Sequence, residues 1–429
     1  MPGRRLPRTV IALSLVSLLT DVSSEMIYPL VPTFLATVLG ASALSVGAIE
    51  GTAESVAALL KYASGWWSDR LTRRKPLVVA GYLIASCLRP LIGLAQVGAH
   101  VFAIRVGDRI GKGVRSAPRD AMLADAVAPE MRGAAFGFHS SADHLGAVIG
   151  PLVAFALLQW GGFSMRSVFL LSAIPAALAM LVLVGWVREG RKGTEGKEMV
   201  TAGGAEGAML FVGGAPRAGP SAESSAAPPS PPPPSPEPLT PGPSTRLGGR
   251  FAAYVAILLL FTLGNSTDAF LLLRARSLGV ETAMIPVLWA ALHIVKTLAA
   301  APAGALSDRI GRRVLITTGW LVYAATYLGF AYANSAWSVW ALFLVYGVYF
   351  GLTDGGAKAL VADLVPADAR GRAFGWYNLA LGIGALPASL LFGALWDAWG
   401  APTAFMVGAA IATVAALLLP TVIPRHIAR

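Results

Sequence analysis

The sequence predicts an all-α integral membrane protein in which twelve transmembrane helices form two six-helix bundles, with a disordered central cytoplasmic linker between them. The first observation behind this prediction is composition. Of the 429 residues, 55% are apolar and 13% are charged, and the mean hydropathy is +0.64, which is too apolar for a protein surrounded by water. The second is length, because the apolar residues occur in stretches of about twenty, enough to cross a hydrocarbon core of about 30 Å. The third is an internal repeat that relates the two halves of the chain.

The apolar stretches predict six helices in each half. In the N-terminal bundle, residues 1–187, they lie near residues 10–37, 45–67, 76–95, 99–123, 134–158 and 167–187. In the C-terminal bundle, residues 250–429, they lie near residues 251–273, 283–305, 314–333, 337–361, 373–396 and 403–423. Residues 188–249 are rich in Gly, Ser and Pro, a composition that cannot form a packed core and that predicts a disordered spacer.

Lysine and arginine are distributed unevenly between alternate loops. If the N-terminus is cytoplasmic, the inside loops and tails contain 22 of these residues, and the outside loops contain only Arg166, Arg274 and Arg276. The positive-inside rule then places both termini and the linker in the cytoplasm, with the helices in the inner or plasma membrane of the cell. Because the bases lie between spans and not on one folded face, the net charge of +11 does not indicate nucleic-acid binding. The lipid bilayer is the expected partner, and the protein is expected to act as a monomer.

A ten-residue segment follows the second predicted helix of each half. Residues 65–74 (GWWSDRLTRR) and 304–313 (GALSDRIGRR) are 239 positions apart, and a second match relates residues 124–137 to 362–375 at a spacing of 238. Two matches in nearly one register indicate a duplicated six-helix unit.

The segment at 304–313 resembles the G-x-L-x-D-R-x-G-R-R/K signature of the major facilitator superfamily, from which the N-terminal copy departs at Trp67 and Thr72. The resemblance covers roughly residues 10–423 apart from the linker, and it implies a transporter fold with a gating loop in each half. The gating-loop residues that it implies are Gly65, Asp69, Arg70, Arg73, Arg74, Gly304, Asp308, Arg309, Gly311, Arg312 and Arg313.

The fifth predicted helix contains residues 146–154 (GAVIGPLVA), which are similar to the G-x-x-x-G-P-x-x-G signature associated with antiporters in this superfamily. Gly146 and Gly150 would let two helices touch through their backbones, and Pro151 would loosen the helix. We expect a bending helix at the contact between the halves. Close packing without a role in antiport is the alternative.

Ionisable residues within the predicted spans indicate where a polar cavity lies. Each costs about 2.5–3.5 kcal/mol at the centre of a membrane helix, so it should face protein or water. Asp21 with Glu25, and Glu50 with Glu54, are i, i+4 pairs, and two adjacent carboxylates in a low dielectric cannot both ionise cheaply. One member of each pair is therefore expected to hold a proton. The predicted proton-coupling residues are Asp21, Glu25, Glu50, Glu54, Asp143, His144 and Asp268.

The fourth predicted helix contains most of the buried positive charge, with bases spaced three to four residues apart along one face. Its sequence Arg109-x-x-Lys112-Gly113 loosely resembles the superfamily's R-x-x-Q-G pattern, whose arginine is linked to proton coupling. The predicted substrate-cavity residues are Tyr28, Arg89, Arg105, Arg109, Lys112, Arg115, Asn265, Trp289, His293, Lys296, Asp354, Lys358, Tyr377 and Asn378. Alternatively, the acids and bases pair with one another and fix the fourth helix to the first and second.

These features favour a secondary active transporter, a proton-coupled antiporter that exports a small organic molecule by alternating access. One alternative is an importer or exporter of an anionic metabolite or a metal chelate. Another is a non-transporting membrane sensor or enzyme on the same scaffold. The sequence contains no Walker A motif, nucleophile–base pair or metal-ligand spacing, so we expect no enzyme activity, no cofactor and no metal site.

Overall fold

The computed structural model describes residues 6–71, 73–127, 131–187, 248–366 and 369–423. Within these ranges the chain is helical and contains no strand. The predicted linker lies almost entirely outside the described residues, so the division of the chain at 187 and 250 stays a prediction. Among the predicted site residues, five are described by their backbone alone: Asp69, Gly304, Asp308, Arg309 and Asp354.

Six helices form the N-terminal half, and their bounds agree with the predicted spans to within a few residues. They are α1 (Arg8–Thr37), α2 (Ala43–Arg70), α3 (Lys75–Leu94), α4 (Gly98–Asp125), α5 (Arg132–Gln159) and α6 (Met165–Gly185). The C-terminal half begins with α7 (Gly249–Ser277), α8 (Ile285–Ile310), α9 (Arg312–Tyr332) and α10 (Ala336–Leu364). The helical stretch Arg370–Val422 contains α11 and α12, which meet at Gly400, where φ is +83°.

Ten helices in the described ranges are long and apolar enough to cross a membrane. That number counts α11 and α12 together and omits α4, whose many charged residues lower its hydropathy. Counting these separately gives the twelve helices that the sequence predicts. The all-helical fold of twelve spans is therefore confirmed.

The prediction of a continuous seventh helix is wrong at its centre. Helix α7 consists of Gly249–Gly264 and Ala269–Ser277, and between them Asn265 has a non-helical ψ of 85°. The interrupting sequence is Asn-Ser-Thr-Asp, four residue types whose side chains compete with the backbone for hydrogen bonds. The break lies near the middle of the membrane-spanning helix, and it leaves backbone N–H and C=O groups there without their helical hydrogen bonds. Such a break is tolerated where it is buried in protein or lines a cavity.

The glycines of the fifth-helix signature bring α5 onto α1, within the N-terminal half. A Cβ atom on Gly146 would lie 2.6 Å from the carbonyl oxygen of Leu18, and one on Gly150 would lie 2.6 Å from that of Val22. The predicted backbone-to-backbone contact therefore exists within the N-terminal half, and α5 also lies at the contact between the halves, where it packs on α8.

The two halves meet chiefly where α2 packs on α11 and where α5 packs on α8. At one end of α2, a Cβ on Gly393 would lie 2.7 Å from Leu44 Cα and 2.8 Å from the Ala43 carbonyl oxygen. Two turns further along α2, a Cβ on Gly51 would lie 3.0 Å from Leu386 Cα. Small residues thus allow α2 and α11 to touch closely.

Candidate functional site

A polar cavity of about 670 Å³ lies between the two halves. Its walls come from α1, α2 and α4 on the N-terminal side and from α7, α10 and α11 on the C-terminal side. A cavity of this size is sufficient for a drug-sized organic molecule. The polar and aromatic lining residues are Tyr28, Glu50, Glu54, Lys61, Tyr62, Lys112, Ser116, Thr262, Asn265, Ser266, Thr267, Asp268, Tyr346, Phe350, Asn378 and Ser389.

The break in α7 forms part of the C-terminal wall. Asp268 is the last residue of the break, and its Oδ1 accepts a hydrogen bond of 2.7 Å from the Tyr346 hydroxyl on α10. The Tyr323 hydroxyl on α9 donates to the Gly264 carbonyl oxygen at 2.9 Å. Two neighbouring tyrosines therefore donate hydrogen bonds to a backbone carbonyl oxygen and to the carboxylate at the break. The bond from Tyr346 holds Asp268 at the cavity.

A network of buried ion pairs lies behind the N-terminal wall. Arg105 Nε on α4 donates to Glu50 Oε1 on α2 at 2.8 Å, and both side chains are at most 5% exposed. Arg89 Nη2 on α3 lies 2.8 Å from Asp108 Oδ1 on α4, and Asp108 Oδ2 is 3.7 Å from Arg105 Nη1. The network joins α2, α3 and α4. It supports the alternative that much of this charge is structural. Helix α4 is joined to α1 as well, because Arg119 Nη1 donates to the Ser17 hydroxyl at 3.1 Å.

One turn further along α2, the pairing is less enclosed. Glu54 Oε1 lies 2.8 Å from Arg109 Nη2, but the Glu54 side chain is 45% exposed at the cavity wall. Lys61 and Lys112 line the same wall and are exposed. Neither lysine forms an ion pair with any residue in the described part of the chain. The N-terminal wall therefore presents excess positive charge to the cavity.

A second polar cluster lies where α1, α5 and α8 meet. Trp289 Nε1 on α8 donates to Glu25 Oε2 on α1 at 2.8 Å, which links the two halves by a hydrogen bond to a carboxylate. The ring centroid of Trp289 is 5.1 Å from that of Tyr28 and 5.2 Å from that of His293. Of these residues, only Tyr28 also lines the cavity. Tyr28 therefore lies between the cavity and Glu25.

The other carboxylates of this cluster lie on α1 and α5. A Cβ on Gly146 would be 2.8 Å from Asp21 Cβ, so the glycine contact holds α5 directly against this carboxylate residue. On α5, Asp143 Oδ1 is 3.8 Å from His139 Nε2, and His139 is buried. His144 is half-buried beside Asp143. Asp21, Asp143 and His144 do not line the cavity.

The structure thus separates residues that the sequence grouped together. Of the predicted proton-coupling and substrate-cavity residues, those that line the cavity are Tyr28, Glu50, Glu54, Lys112, Asn265, Asp268 and Asn378. Those described in full that do not line it are Asp21, Glu25, Arg89, Arg105, Arg109, Arg115, Asp143, His144, Trp289, His293, Lys296, Lys358 and Tyr377. The arginines are turned to carboxylates or rings: Arg115, for example, lies 4.2 Å over the ring of Tyr82.

Sequence reasoning missed several lining residues. Lys61 is seven positions after Glu54, so helical spacing alone places it on the same face of α2. Ser266 and Thr267 line the cavity and lie in the break of α7. No signal in the helical pattern identified that break.

The basic residues of the repeated segments bind within their own halves. Arg74 forms an ion pair with Asp125 at the end of α4, and Arg312 lies 2.5 Å from Asp363 at the end of α10. Gly311 has a φ of +91°, a conformation that favours glycine. These contacts fix the α2–α3 and α8–α9 turns to their own bundles. A gating role for them stays a prediction.

Asp397 on α11 joins the halves at the end of the bundle opposite the two termini. Its Oδ1 accepts from the Ala43 backbone N–H at 3.0 Å, and its Oδ2 accepts from the Leu44 N–H at 2.9 Å. These are the first N–H groups of α2, so the carboxylate interacts with the positive end of that helix dipole. The contact closes this end of the bundle, and the cavity lies on the other side of it.

We expect Asp397→Ala to favour opening at this end. Loss of the interaction between the carboxylate and the helix dipole should destabilise the closed conformation by about 0.3–1 kcal/mol, and loss of the two hydrogen bonds should destabilise it further. The population of the open conformation should therefore rise about tenfold. Spin labels at Val38 and Trp399, in a Cys87→Ser background, would report the distance between the halves. Glu281→Gln, which removes an exposed acid at the same end, is the control. An unchanged distance distribution in Asp397→Ala would contradict the expected role.

Two homologous helical halves around a central polar cavity, with a broken helix in its wall, define a membrane transporter. The family model for the Major Facilitator Superfamily matches residues 13–295 and 253–428. An uncharacterised MFS-type transporter of Methanocaldococcus jannaschii is 32% identical over 97% of this chain and 95% of its own. The chain therefore belongs to the Major Facilitator Superfamily, and it is a multi-pass membrane transporter rather than an enzyme.

Two further similarities are more limited. The multidrug resistance protein MdtH of Cronobacter sakazakii is 31% identical over only 27% of this chain and 29% of its own length. A crystal structure of a variant of the peptide transporter POT covers 99% of this chain and 96% of its own, with a TM-score of 0.74 and 14% identity. At that identity the structural likeness shows the fold alone.

Proposed function

We propose that this protein is a proton-coupled antiporter that exports a small organic molecule by alternating access. The observation that supports this most directly is the hydrogen bond between Trp289 and Glu25, which joins the two halves through a titratable group. The proposal also draws on the similarity of residues 146–154 to an antiporter signature and on the partial likeness to a multidrug resistance protein.

Protonation of Glu25 would change the contact between the halves. An ionised carboxylate accepts the Trp289 N–H in a charge-assisted bond, which is roughly twice as strong as a neutral one. Protonation removes that charge and adds a donor that needs its own acceptor. The proton state of Glu25 is thereby linked to the equilibrium between the two orientations of the carrier. Asp21, one turn away on α1, would share the proton with Glu25.

Tyr28 provides the connection to the substrate. Its side chain lines the cavity and its ring packs on Trp289. A molecule bound in the cavity could therefore displace Tyr28 and, through it, the Trp289 indole that donates to Glu25. Substrate and proton would then compete through Tyr28 and Trp289 without occupying the same site. Coupling of this kind is a difference in affinity between two conformations and is reciprocal.

The direction of export depends on orientation. We propose that both termini are cytoplasmic, because the alternate loops differ strongly in lysine and arginine content. The end closed by Asp397 would then face outward, and the cavity would open to the cytoplasm. We further propose that the protein acts as a monomer, because the cavity is formed by one chain.

The test is transport by purified protein in sealed vesicles, with a labelled ligand identified by its stabilisation of the folded protein. Glu25→Gln and Asp21→Asn should each lower flux driven by a pH gradient by about 5- to 150-fold, as expected for loss of a coupling free energy of about 1–3 kcal/mol. Exchange of labelled for unlabelled ligand without a gradient should change little. Glu281→Gln is the matched control.

If proton-driven flux in both variants equals that of the unaltered protein, the α1 carboxylates do not couple proton movement to transport. Equal loss of driven flux and exchange would instead show that these substitutions damage the carrier as a whole. In either case the proposed coupling through Glu25 would be wrong.

A further inference from the structure

We propose that the cavity binds a zwitterionic organic molecule, with its anionic group at Lys61 and Lys112 and its cationic group at Asp268. This inference rests on the proposed function in one respect, namely that the cavity holds the transported molecule. It specifies the charge pattern of that molecule from the two walls.

The carboxylates of the N-terminal wall are already compensated by arginines. Glu50 is paired with Arg105 and Glu54 with Arg109. A cationic group arriving at this wall would have to compete with a guanidinium for each carboxylate. The acids on α2 therefore offer little to a cation.

The two lysines are held on one wall by a close contact between α2 and α4. A Cβ on Gly113 would lie 3.3 Å from the Lys61 backbone nitrogen, and the Ser64 hydroxyl donates to the Gly113 carbonyl oxygen at 2.8 Å. Lys112 is adjacent to Gly113 in the chain. The contact thus brings two ammonium-bearing residues to one wall of the cavity, where both side chains are exposed. Two like charges placed together favour an anion between them.

The C-terminal wall has the opposite sign. Asp268 is the only acid of this half among the described lining residues, and no base of this half lines the cavity within the described part of the chain. Its carboxylate accepts one hydrogen bond, from Tyr346, and forms no ion pair with a described residue. A carboxylate so placed favours a cationic group.

Aromatic rings surround the position of that cationic group. Tyr28, Tyr346 and Phe350 line the cavity near Asp268, and ring faces attract ammonium groups. Lys296 already occupies one face of Phe350, with its Nζ 4.0 Å from the ring centroid. The rings of Tyr28 and Tyr346 are therefore the ones that a substrate cation would contact.

The two walls favour a zwitterion and also disfavour ligands that carry only one sign of charge. A simple cation would leave the lysines without an anion, and a simple anion would leave Asp268 without a cation. A zwitterion satisfies both walls at once. It also bridges the two halves, which is the contact that a carrier must make and break during its cycle.

The test uses three flexible probes of equal length with the full-length purified protein: 8-aminooctanoate, 1,8-diaminooctane and octanedioate. Binding is measured by calorimetry, and the series is repeated with chains of about four to twelve carbons to find the best charge separation. We expect the amino acid of the best length to bind at least about tenfold more tightly than the diamine and the diacid of that length.

Two substitutions show which wall of the cavity binds the carboxylate of the probe and which binds its ammonium group. Lys112→Gln should remove most of the preference for the amino acid over the diamine. Asp268→Asn should remove most of its preference over the diacid. Arg250→Gln, which removes an exposed base at the start of α7, should leave all three affinities unchanged.

The proposal is overturned if the diamine or the diacid binds as tightly as the amino acid at every length, or if no member of the series binds. It is also overturned if both substitutions weaken all three probes equally. Because the measurement needs no pH gradient, its result is independent of proton coupling. A zwitterion preference without proton-driven flux would refute the proposed antiport and leave the substrate class intact.

Discussion

Replacement of Glu50 by alanine is expected to destabilise the folded protein by about 3–5 kcal/mol, because it leaves the buried Arg105 guanidinium without its partner. The two side chains are 1% and 5% exposed, so water cannot replace the lost carboxylate. Among the described carboxylates Arg105 would retain Asp108, whose Oδ2 is 3.7 Å away and which already pairs with Arg89. Thermal unfolding of the purified protein in detergent, followed by loss of helical circular dichroism, would show a clear fall in the midpoint.

Glu54→Ala is a closely matched control. Glu54 has the same residue type on the same helix, one turn away, and also pairs with an arginine of α4 at 2.8 Å. Its side chain is 45% exposed, so its loss should cost no more than about 1 kcal/mol. The double variant Glu50→Met/Arg105→Met should recover much of the stability lost in Glu50→Ala, because it leaves no unpaired buried charge. Equal shifts for Glu50→Ala and Glu54→Ala would contradict the structural role of the buried pair.

The contrast between these two carboxylates shows how far the sequence could predict the site. The i, i+4 spacing places Glu50 and Glu54 on one face of α2, and that is confirmed. Spacing along one helix cannot show which neighbouring helix supplies a partner or how deeply each group is buried. The sequence therefore could not show which of the two carboxylates is buried, whereas in the structure the Glu50 side chain is 1% exposed within an ion-pair network and the Glu54 side chain is 45% exposed.

The helices themselves could be predicted because membrane thickness sets their length and hydropathy sets their position. Helix α4 is the exception, since its charge hides it from a hydropathy criterion. The apolar residues between its charges, bounded by loops, nevertheless predicted a helix near residues 99–123. The break at Asn265–Asp268 was not predicted, because four polar residues within an apolar stretch are compatible with a continuous helix whose polar face is buried.

The sequence also could not predict that the Glu25 cluster lies apart from the cavity. Both sets of residues lie at similar positions in their helices, and both contain acids, bases and aromatic rings. Tyr28 lines the cavity and also packs on Trp289, whereas Glu25 accepts the Trp289 hydrogen bond without lining the cavity. Which of these side chains reaches the cavity depends on the rotation of α1 about its axis. Rotation about a helix axis is set by close packing, and for α1 the closest packing is that against the glycines of α5.

Gly150→Ala is therefore expected to destabilise the folded protein by about 1–3 kcal/mol and to disturb the packing around Glu25. The added Cβ would lie 2.6 Å from the Val22 carbonyl oxygen, 3.0 Å from Glu25 Cβ and 3.1 Å from the Met26 nitrogen. Two of these atoms are backbone, so relief requires α5 to move away from α1. The thermal midpoint should fall, and the tryptophan fluorescence of the Trp289 environment should change with it.

Gly137→Ala on the same helix should have the opposite sign. A Cβ at Gly137 meets no atom within 4 Å, so alanine adds helix propensity without a clash and should stabilise the protein by up to about 1 kcal/mol. A fall in the midpoint for both variants would mean that α5 needs flexible glycines along its length, as a bending helix would. A fall for Gly150→Ala alone would mean that the antiporter-like signature works by seating α5 against α1, where its glycines determine the direction in which Asp21 and Glu25 face. The opposite signs of two identical substitutions on one helix thus distinguish a hinge from a packing surface.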